Sequence, residues 1–365
     1  MIPVTHPYLP HRDKYDKYVD RIYSSRHLTN NAPLVKELTF RLEEYLGVKN
    51  LLLVANGTLA LQVAYKALGL GAFGAYQEAV TTPFSFVATS SSIKWQGIQP
   101  VYSDIDENTW CLDPDKVEES IGVNTRVLVP VHVYGNVCDV DRLDIVAKRH
   151  GLKIVYDGAH AFGVDYQGTS VFSCGDAATL SFHATKLFHT IEGGGIVFKS
   201  KDCLEKARAI INFGLSEDAG VTSLGINCKM NEFQAAMGLC VLDDMDAIIE
   251  RRKEITFKYS FSLDGWVGLQ SFNINCTRNY AYFPILLESE SALVRVKNSL
   301  EDKGVFPRRY FFPPLDSFAE FSLGEARSVI AGSISSRVLC LPLYPDLSIH
   351  VVEDICELVK KALVK

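Results

Sequence analysis

The chain has 365 residues, 47% hydrophobic and 22% charged, a globular composition that excludes a disordered or collagen-like protein. At about 150 residues per domain, this length suggests two domains or one large α/β unit with an appendage, long enough to bury a core without disulfide or metal staples. Lysine and arginine number 37 against 43 acidic residues, a net charge of −6 with no basic stripe; nucleic acid is an unsuitable partner, and any phosphorylated ligand must be held by local groups.

Read in chain order, LLLVA (51–55) has the composition of a buried strand, and TLALQVAYKAL (58–68) follows with one apolar helical face. Short apolar runs recur at AVTTP (79–83), PVYSDI (100–105), RVLVPVHV (126–133) and LKIVYD (152–157), with a helix predicted over 139–151. Such alternation, with strands rich in Val and Ile, predicts an α/β fold built on a mostly parallel sheet with helices on both faces. One long helix is expected from Asn231 to Tyr259, followed by a smaller α+β unit. The expected division is a large domain over 1–250 and a small C-terminal domain over 251–365.

Nine scattered cysteines without a C-x-x-C pair argue against disulfides or structural zinc and for a reducing compartment. The N-terminal residues lack a basic stretch followed by an apolar core, and the apolar runs fall short of the ~18 residues a membrane span needs. The expectation is a cytoplasmic protein with neither a membrane partner nor a metal site.

Several short motifs bear chemistry. Gly69, Gly71 and Gly74 spell G-x-G-x-x-G, but they follow a predicted helix, whereas the dinucleotide fingerprint follows a strand; a helix-ending turn fits better. Asn56-Gly57-Thr58 lies between a strand and a helix, where free backbone N–H groups suit a phosphate; helix capping is the alternative. Asp157 closes a predicted parallel strand, on the sheet edge where α/β folds bind ligands, and could equally cap a helix. Lys186 stands in SFHATKLFHTIEGGG (181–195), flanked by strands and followed by three glycines. An amine buried there would have a depressed pKa and could act as a Schiff-base nucleophile. Asp157 could then meet a pyridinium nitrogen, Gly57 and Thr58 a phosphate, and Phe86, in TTPFSFVAT, could stack on a ring.

Together these parts resemble a fold-type-I pyridoxal-phosphate enzyme, specifically the DegT/DnrJ/EryC1/StrS sugar aminotransferases. The resemblance runs through LTNNAPLVKELTFRLEEYLGVKNLLLVANGTLAL (28–61), TTPFSFVAT (81–89), PVHVYGNVCDVD (130–141) and YDGAHAFGV (156–164). It continues through SFHATKLFHTIEGGGIV (181–197), GINCKMNEFQAAMG (225–238) and LCLPLYPDLS (339–348). It implies that Lys186 binds pyridoxal 5'-phosphate covalently and later moves protons, and that Asp157 pairs with the ring nitrogen. Phe86 would take the stacking position, while Gly57, Thr58 and Ser181 hold the phosphate. Asn227 resembles the residue that reaches the phosphate of the neighbouring subunit, which implies a homodimer. His160 stands where many relatives carry glutamine, near the ring's 3-hydroxyl, and His183 where many carry tyrosine, on the substrate side.

The implied reaction is a ping-pong transamination from L-glutamate to a dTDP-linked keto-6-deoxyhexose. PVTHPYLP, LTNNAP and SFHATK look most like the members that aminate C4 of dTDP-4-keto-6-deoxy-D-glucose. Amination at C3 of a 3-keto sugar and a non-catalytic regulatory protein are the alternatives. The dehydratase branch carries histidine at the lysine position, so Lys186 argues against it. Arg308-Arg309-Tyr310 is expected to border the sugar-nucleotide cleft, whereas Arg251-Arg252 reads as the solvated face of the long helix.

Overall fold

A computed structural model describes residues 1–71, 74–216, 219–322 and 328–364. Seven strands form the main sheet: β1 (Leu51–Val54), β2 (Gln77–Thr81), β3 (Ile98–Tyr102), β4 (Thr125–Val129), β5 (Lys153–Asp157), β6 (Ala177–Ser181) and β7 (Gly194–Phe198). Their spatial order is β1-β7-β6-β5-β4-β2-β3. Every neighbouring pair is parallel except those of β7, which runs antiparallel to both β1 and β6. No helix crosses over between β6 and β7, so the chain turns back beside its own strand instead of returning in parallel. That turn carries Lys186.

Side chains alternate between two apolar cores, one on each face. Leu51, Leu53 and Leu128 enter one core, and Leu52, Val54, Val127 and Val129 enter the other. Burial on both faces explains the unbroken apolar strands.

The helix expected over 231–259 is two helices, Glu232–Asp243 and Met245–Ser262, separated at Asp244. A reciprocal capping box between Asn231 and Gln234 starts the first. At the break, the Asp244 carboxylate accepts from the Tyr8 hydroxyl at 2.9 Å and from the Lys14 ammonium at 2.6 Å, tying it to the N-terminal arm. The second helix passes from one core to another. Met245 and Ile248 pack under the main sheet, while Ile255, Tyr259 and Leu263 join the core of the C-terminal unit.

That unit contains an antiparallel sheet of β8 (Gly268–Leu269), β9 (Phe283–Leu286) and β10 (Val338–Leu341), in the order β8-β9-β10. Residues Ile2–Pro3, which fall inside the expected large domain, pair instead with Val305–Phe306 of the C-terminal unit. Arg252 is a second departure: it is buried, not solvated, because its face of the helix turns toward residues 280–281. Gly69, Gly71 and Gly74 all have positive φ and follow the helix Gly57–Ala67, which fits the turn reading. Among the described residues no helix is long and apolar enough to cross a membrane, and no group of three or more His, Cys, Asp or Glu could hold a metal.

Candidate active site

The candidate residues gather at the carboxyl ends of β5 and β6 and at the helix start after β1. Asp157 ends β5 and is followed by turns instead of a helix, so it caps no helix. Its Oδ1 accepts the Ala159 N–H at 3.1 Å, and its Oδ2 accepts the Thr89 hydroxyl at 2.8 Å. Thr89 in turn lies 2.8 Å from the Ser85 hydroxyl, so a buried hydroxyl pair fixes the orientation of the carboxylate.

Lys186 sits in the β6–β7 turn, its N–H donating to the His183 carbonyl at 2.9 Å. Burial pushes its ammonium down to about 8, and the nearby Asp157 charge opposes that shift. Its Nζ lies 3.5 Å from the Tyr282 hydroxyl. His160 is buried and stacks among Tyr134, Tyr282 and Phe311. Its Nδ1 accepts the Tyr134 N–H at 3.1 Å, which assigns the proton to Nε2 of a neutral ring. Burial, with Lys186 adding to it, holds its pKa well below the usual imidazole range.

Asn56 caps the helix Gly57–Ala67, its Oδ1 taking the Leu59 N–H at 2.9 Å, and the N–H groups of Gly57 and Thr58 precede the first intrahelical bonds. Two glycines bring this helix start onto the sheet. A Cβ on Gly57 would lie 2.8 Å from Ser181 Cβ, and one on Gly194 would lie 2.6 Å from the Asn56 carbonyl carbon. Ser181 Oγ therefore joins a cradle of N–H and O–H donors at a helix N-terminus, a fit for a phosphate.

Phe86 is 52% exposed and is the N-cap residue of the helix Val87–Trp95. His183 is also exposed, hydrogen-bonded to the Thr185 hydroxyl at 2.8 Å. Asn227 lies exposed on the segment whose next residues, Cys228 and Lys229, pair with Ala55 and Val54, just ahead of Gly57.

The adjacent arginines part company. Arg308 is exposed, with its guanidinium 4.9 Å from the Tyr310 ring centroid, and Tyr310 meets Tyr282 edge to face at 5.9 Å. Arg308 and Tyr310 thus continue the run of rings from His160 and Tyr282, whose hydroxyl lies beside Lys186. Arg309 is engaged elsewhere: it pairs with Glu290 at 2.7 Å, donates to the Ser336 carbonyl at 3.2 Å and stacks on Phe312.

Residues that motif reading passed over complete the site: Ser85, Thr89, Tyr134, Tyr282 and Phe311. Ser85 and Thr89 lie in TTPFSFVAT and Tyr134 in PVHVYGNVCDVD, but only folding brings them to Asp157 and His160; Tyr282 and Phe311 arrive from the C-terminal unit without a local signature.

An amine with a lowered pKa, a buried oriented carboxylate and a glycine-backed phosphate cradle on one edge of this sheet fit pyridoxal phosphate, and with the fold they define an enzyme of that cofactor class. The DegT/DnrJ/EryC1/StrS aminotransferase family model matches residues 11–360, and the chain belongs to that family. It is 40% identical over 364 residues to the dTDP-4-amino-4,6-dideoxy-D-glucose transaminase of Shigella dysenteriae, covering 98% of each chain. Among solved structures it resembles DesI, studied with its TDP-sugar product, at a TM-score of 0.93 and 30% identity over 100% of this chain and 93% of that one. It also resembles the PLP form of Spr1654 from Streptococcus pneumoniae, at a TM-score of 0.91 and 25% identity over 100% and 98% of the two chains. The protein is a pyridoxal-phosphate-dependent sugar aminotransferase.

Proposed function

We propose that the enzyme moves the amino group of L-glutamate to C4 of dTDP-4-keto-6-deoxy-D-glucose, yielding dTDP-4-amino-4,6-dideoxyglucose. The observation that carries the choice of sugar is the end-to-end similarity to a transaminase named for that product. Pyridoxal phosphate supplies an electrophilic carbon for the amine and a conjugated ring able to accept an electron pair. Lys186 Nζ is the attaching group and, once released, the base and acid that moves a proton at the substrate carbon. Its lowered pKa supports this, since an amine near 8 can both take and return a proton close to neutrality. Asp157 holds a proton at the ring nitrogen, its orientation set by Thr89 and Ala159. Gly57, Thr58 and Ser181 would bind the phosphate, Phe86 would cover the ring, and His160 would offer its Nε2–H to the ring oxygen. His183, Arg308 and Tyr310 face the sugar nucleotide.

The enzyme acts as a homodimer in which Asn227 serves the neighbouring site. Apolar side chains exposed around it support this: Phe213 at 54%, Leu224 at 69% and Ile226 at 41%. Glutamate-driven turnover of 4-keto and 3-keto dTDP-sugars, measured side by side, tests the acceptor; exclusive use of the 3-keto isomer would overturn it. Mixing Lys186→Ala chains with Asn227→Ala chains tests the shared site: subunit exchange should restore activity, because one site of the mixed dimer then has both groups.

A further inference from the structure

The short stretch 279–282, leading into β9, is held from two sides by buried polar side chains. Asn279 Nδ2 donates to the carbonyls of His160 at 2.8 Å and Phe162 at 3.0 Å, and its Oδ1 accepts the Ala281 N–H at 3.2 Å. From the inter-core helix, Arg252 Nη1 donates to the carbonyls of Ala281 at 3.2 Å and Tyr280 at 3.4 Å. Arg252 is 4% exposed, its Nε has no partner, and among the described residues no carboxylate pairs with it. A buried guanidinium without a carboxylate is expensive; here its hydrogen bonds go to two adjacent peptide carbonyls. Tyr280 between these anchors has a φ of +54°, a backbone conformation that L residues adopt at a cost and that its surroundings must impose.

The next residue is Tyr282. Its ring centroid lies 4.7 Å from that of His160, 5.6 Å from Tyr134 and 5.9 Å from Tyr310, and this aromatic box aims its hydroxyl at Lys186 Nζ, 3.5 Å away. We infer that Tyr282 is the hydrogen-bond partner that holds the Lys186 amine whenever that amine is free, and that Asn279 and Arg252 are positioning residues that fix Tyr282 there. This rests on the reading of Lys186 as the reactive amine.

A phenol suits the task because it accepts from an ammonium and donates to a neutral amine. Burial raises the Tyr282 hydroxyl above its ordinary pKa, with Cys340 adding to the rise and Arg252 and Arg308 opposing it, so it stays protonated over the range in which Lys186 titrates. The other titratable groups facing the amine are Asp157, which favours its cation, and His160, whose ring burial keeps neutral with Lys186 adding to that effect. Hydrogen bonds to an ion are roughly twice as strong as neutral ones, so Tyr282 favours the ammonium and partly offsets its desolvation. Without the hydroxyl, a four-bond side chain is left free to swing in a desolvated pocket.

The test is the titration of Lys186 in the full-length, cofactor-stripped protein, read by competitive acylation and peptide mass spectrometry, with no dependence on turnover. Tyr282→Phe should lower the midpoint by about half to one unit, a roughly three- to tenfold larger ratio of free amine to ammonium, since one unit is a tenfold change in that ratio. Asn279→Ala should reproduce that shift, and adding it to Tyr282→Phe should give no further change. Arg252→Lys serves in its place if Asn279→Ala does not fold. A Tyr282→Phe midpoint within about 0.2 unit of the parent, less than a twofold change in that ratio, would overturn the tether, and additive shifts would overturn the positioning roles. The labelling reports on Lys186 whether or not it is the cofactor lysine. That point is read separately, by locating the adduct trapped with borohydride in the holoenzyme.

Discussion

Replacing Gly57 with alanine probes the phosphate cradle at its tightest point. The added Cβ is fixed by the backbone and would lie 2.8 Å from Ser181 Cβ, 3.1 Å from its Oγ and 3.2 Å from its Cα. Comfortable carbon contacts begin near 3.5 Å, so the helix start must retreat from β6 by about 0.7 Å or more. Neither side can rotate away, because the clash involves Cα and Cβ atoms and not a flexible tip. The packing strain should cost about 1–3 kcal/mol. The same retreat separates the Gly57 and Thr58 N–H groups from the Ser181 hydroxyl, so a phosphate can no longer meet both sides. Losing one hydrogen bond to a charged acceptor, about 1.5–3 kcal/mol, should weaken cofactor binding about ten- to hundredfold. Titration of pyridoxal phosphate into the stripped protein, followed by absorbance or tryptophan fluorescence, measures it. Gly332→Ala is the control: that site is open on the helix Val329–Arg337, so the change should add about 0.5–1 kcal/mol of stability and leave cofactor affinity alone. A Gly57→Ala dissociation constant within twofold of the parent would refute the cradle.

Three further outcomes are expected. Lys186 has a folded pKa near 8, below its ordinary value of 10.5, so its penalty is full below pH 8 and fades as pH rises toward 10.5. The cofactor-free protein should therefore gain stability between pH 8 and 10 by denaturant titration, and Lys186→Met should remove that gain; an unchanged slope would place the amine in solvent. Arg308→Ala should raise KM for the sugar nucleotide while sparing KM for glutamate. Arg309→Ala should instead lose about 1–2 kcal/mol of stability through its Glu290 pair and Phe312 stack, with both KM values near the parent's; the reverse pattern would exchange their roles. The buried Glu232 carboxylate accepts the N–H groups of Leu34 and Val35, both at 2.8 Å, at the start of the helix Pro33–Leu46. Glu232→Ala should cost about 2–4 kcal/mol, two buried donors being left unpaired, and a melting temperature within a degree or two of the parent's would contradict that.

The sequence by itself determined the sheet class and the chain segments that supply the chemistry. Strand runs such as LLLV and the IVY of β5 are apolar on both faces, and Asn56-Gly57, Asp157 and Lys186 lie at or beyond strand ends, so local pattern and the fold rule for ligand edges suffice to nominate those residues. It could not tell whether Asp157 capped a helix, because that depends on the turns after β5. Nor could it separate Arg308 from Arg309, since neighbours in sequence point to different surroundings once Glu290 and Ser336 close on one of them. Arg252 looked solvated because a charge in an amphipathic helix usually is; only the packing of 280–281 against that helix buries it. Tyr282 had no signature because its partner, Lys186, stands 96 residues away. Local composition fixes which segments become strands and helices, but which side chains meet across the two units depends on tertiary packing, and only the folded structure sets those distances.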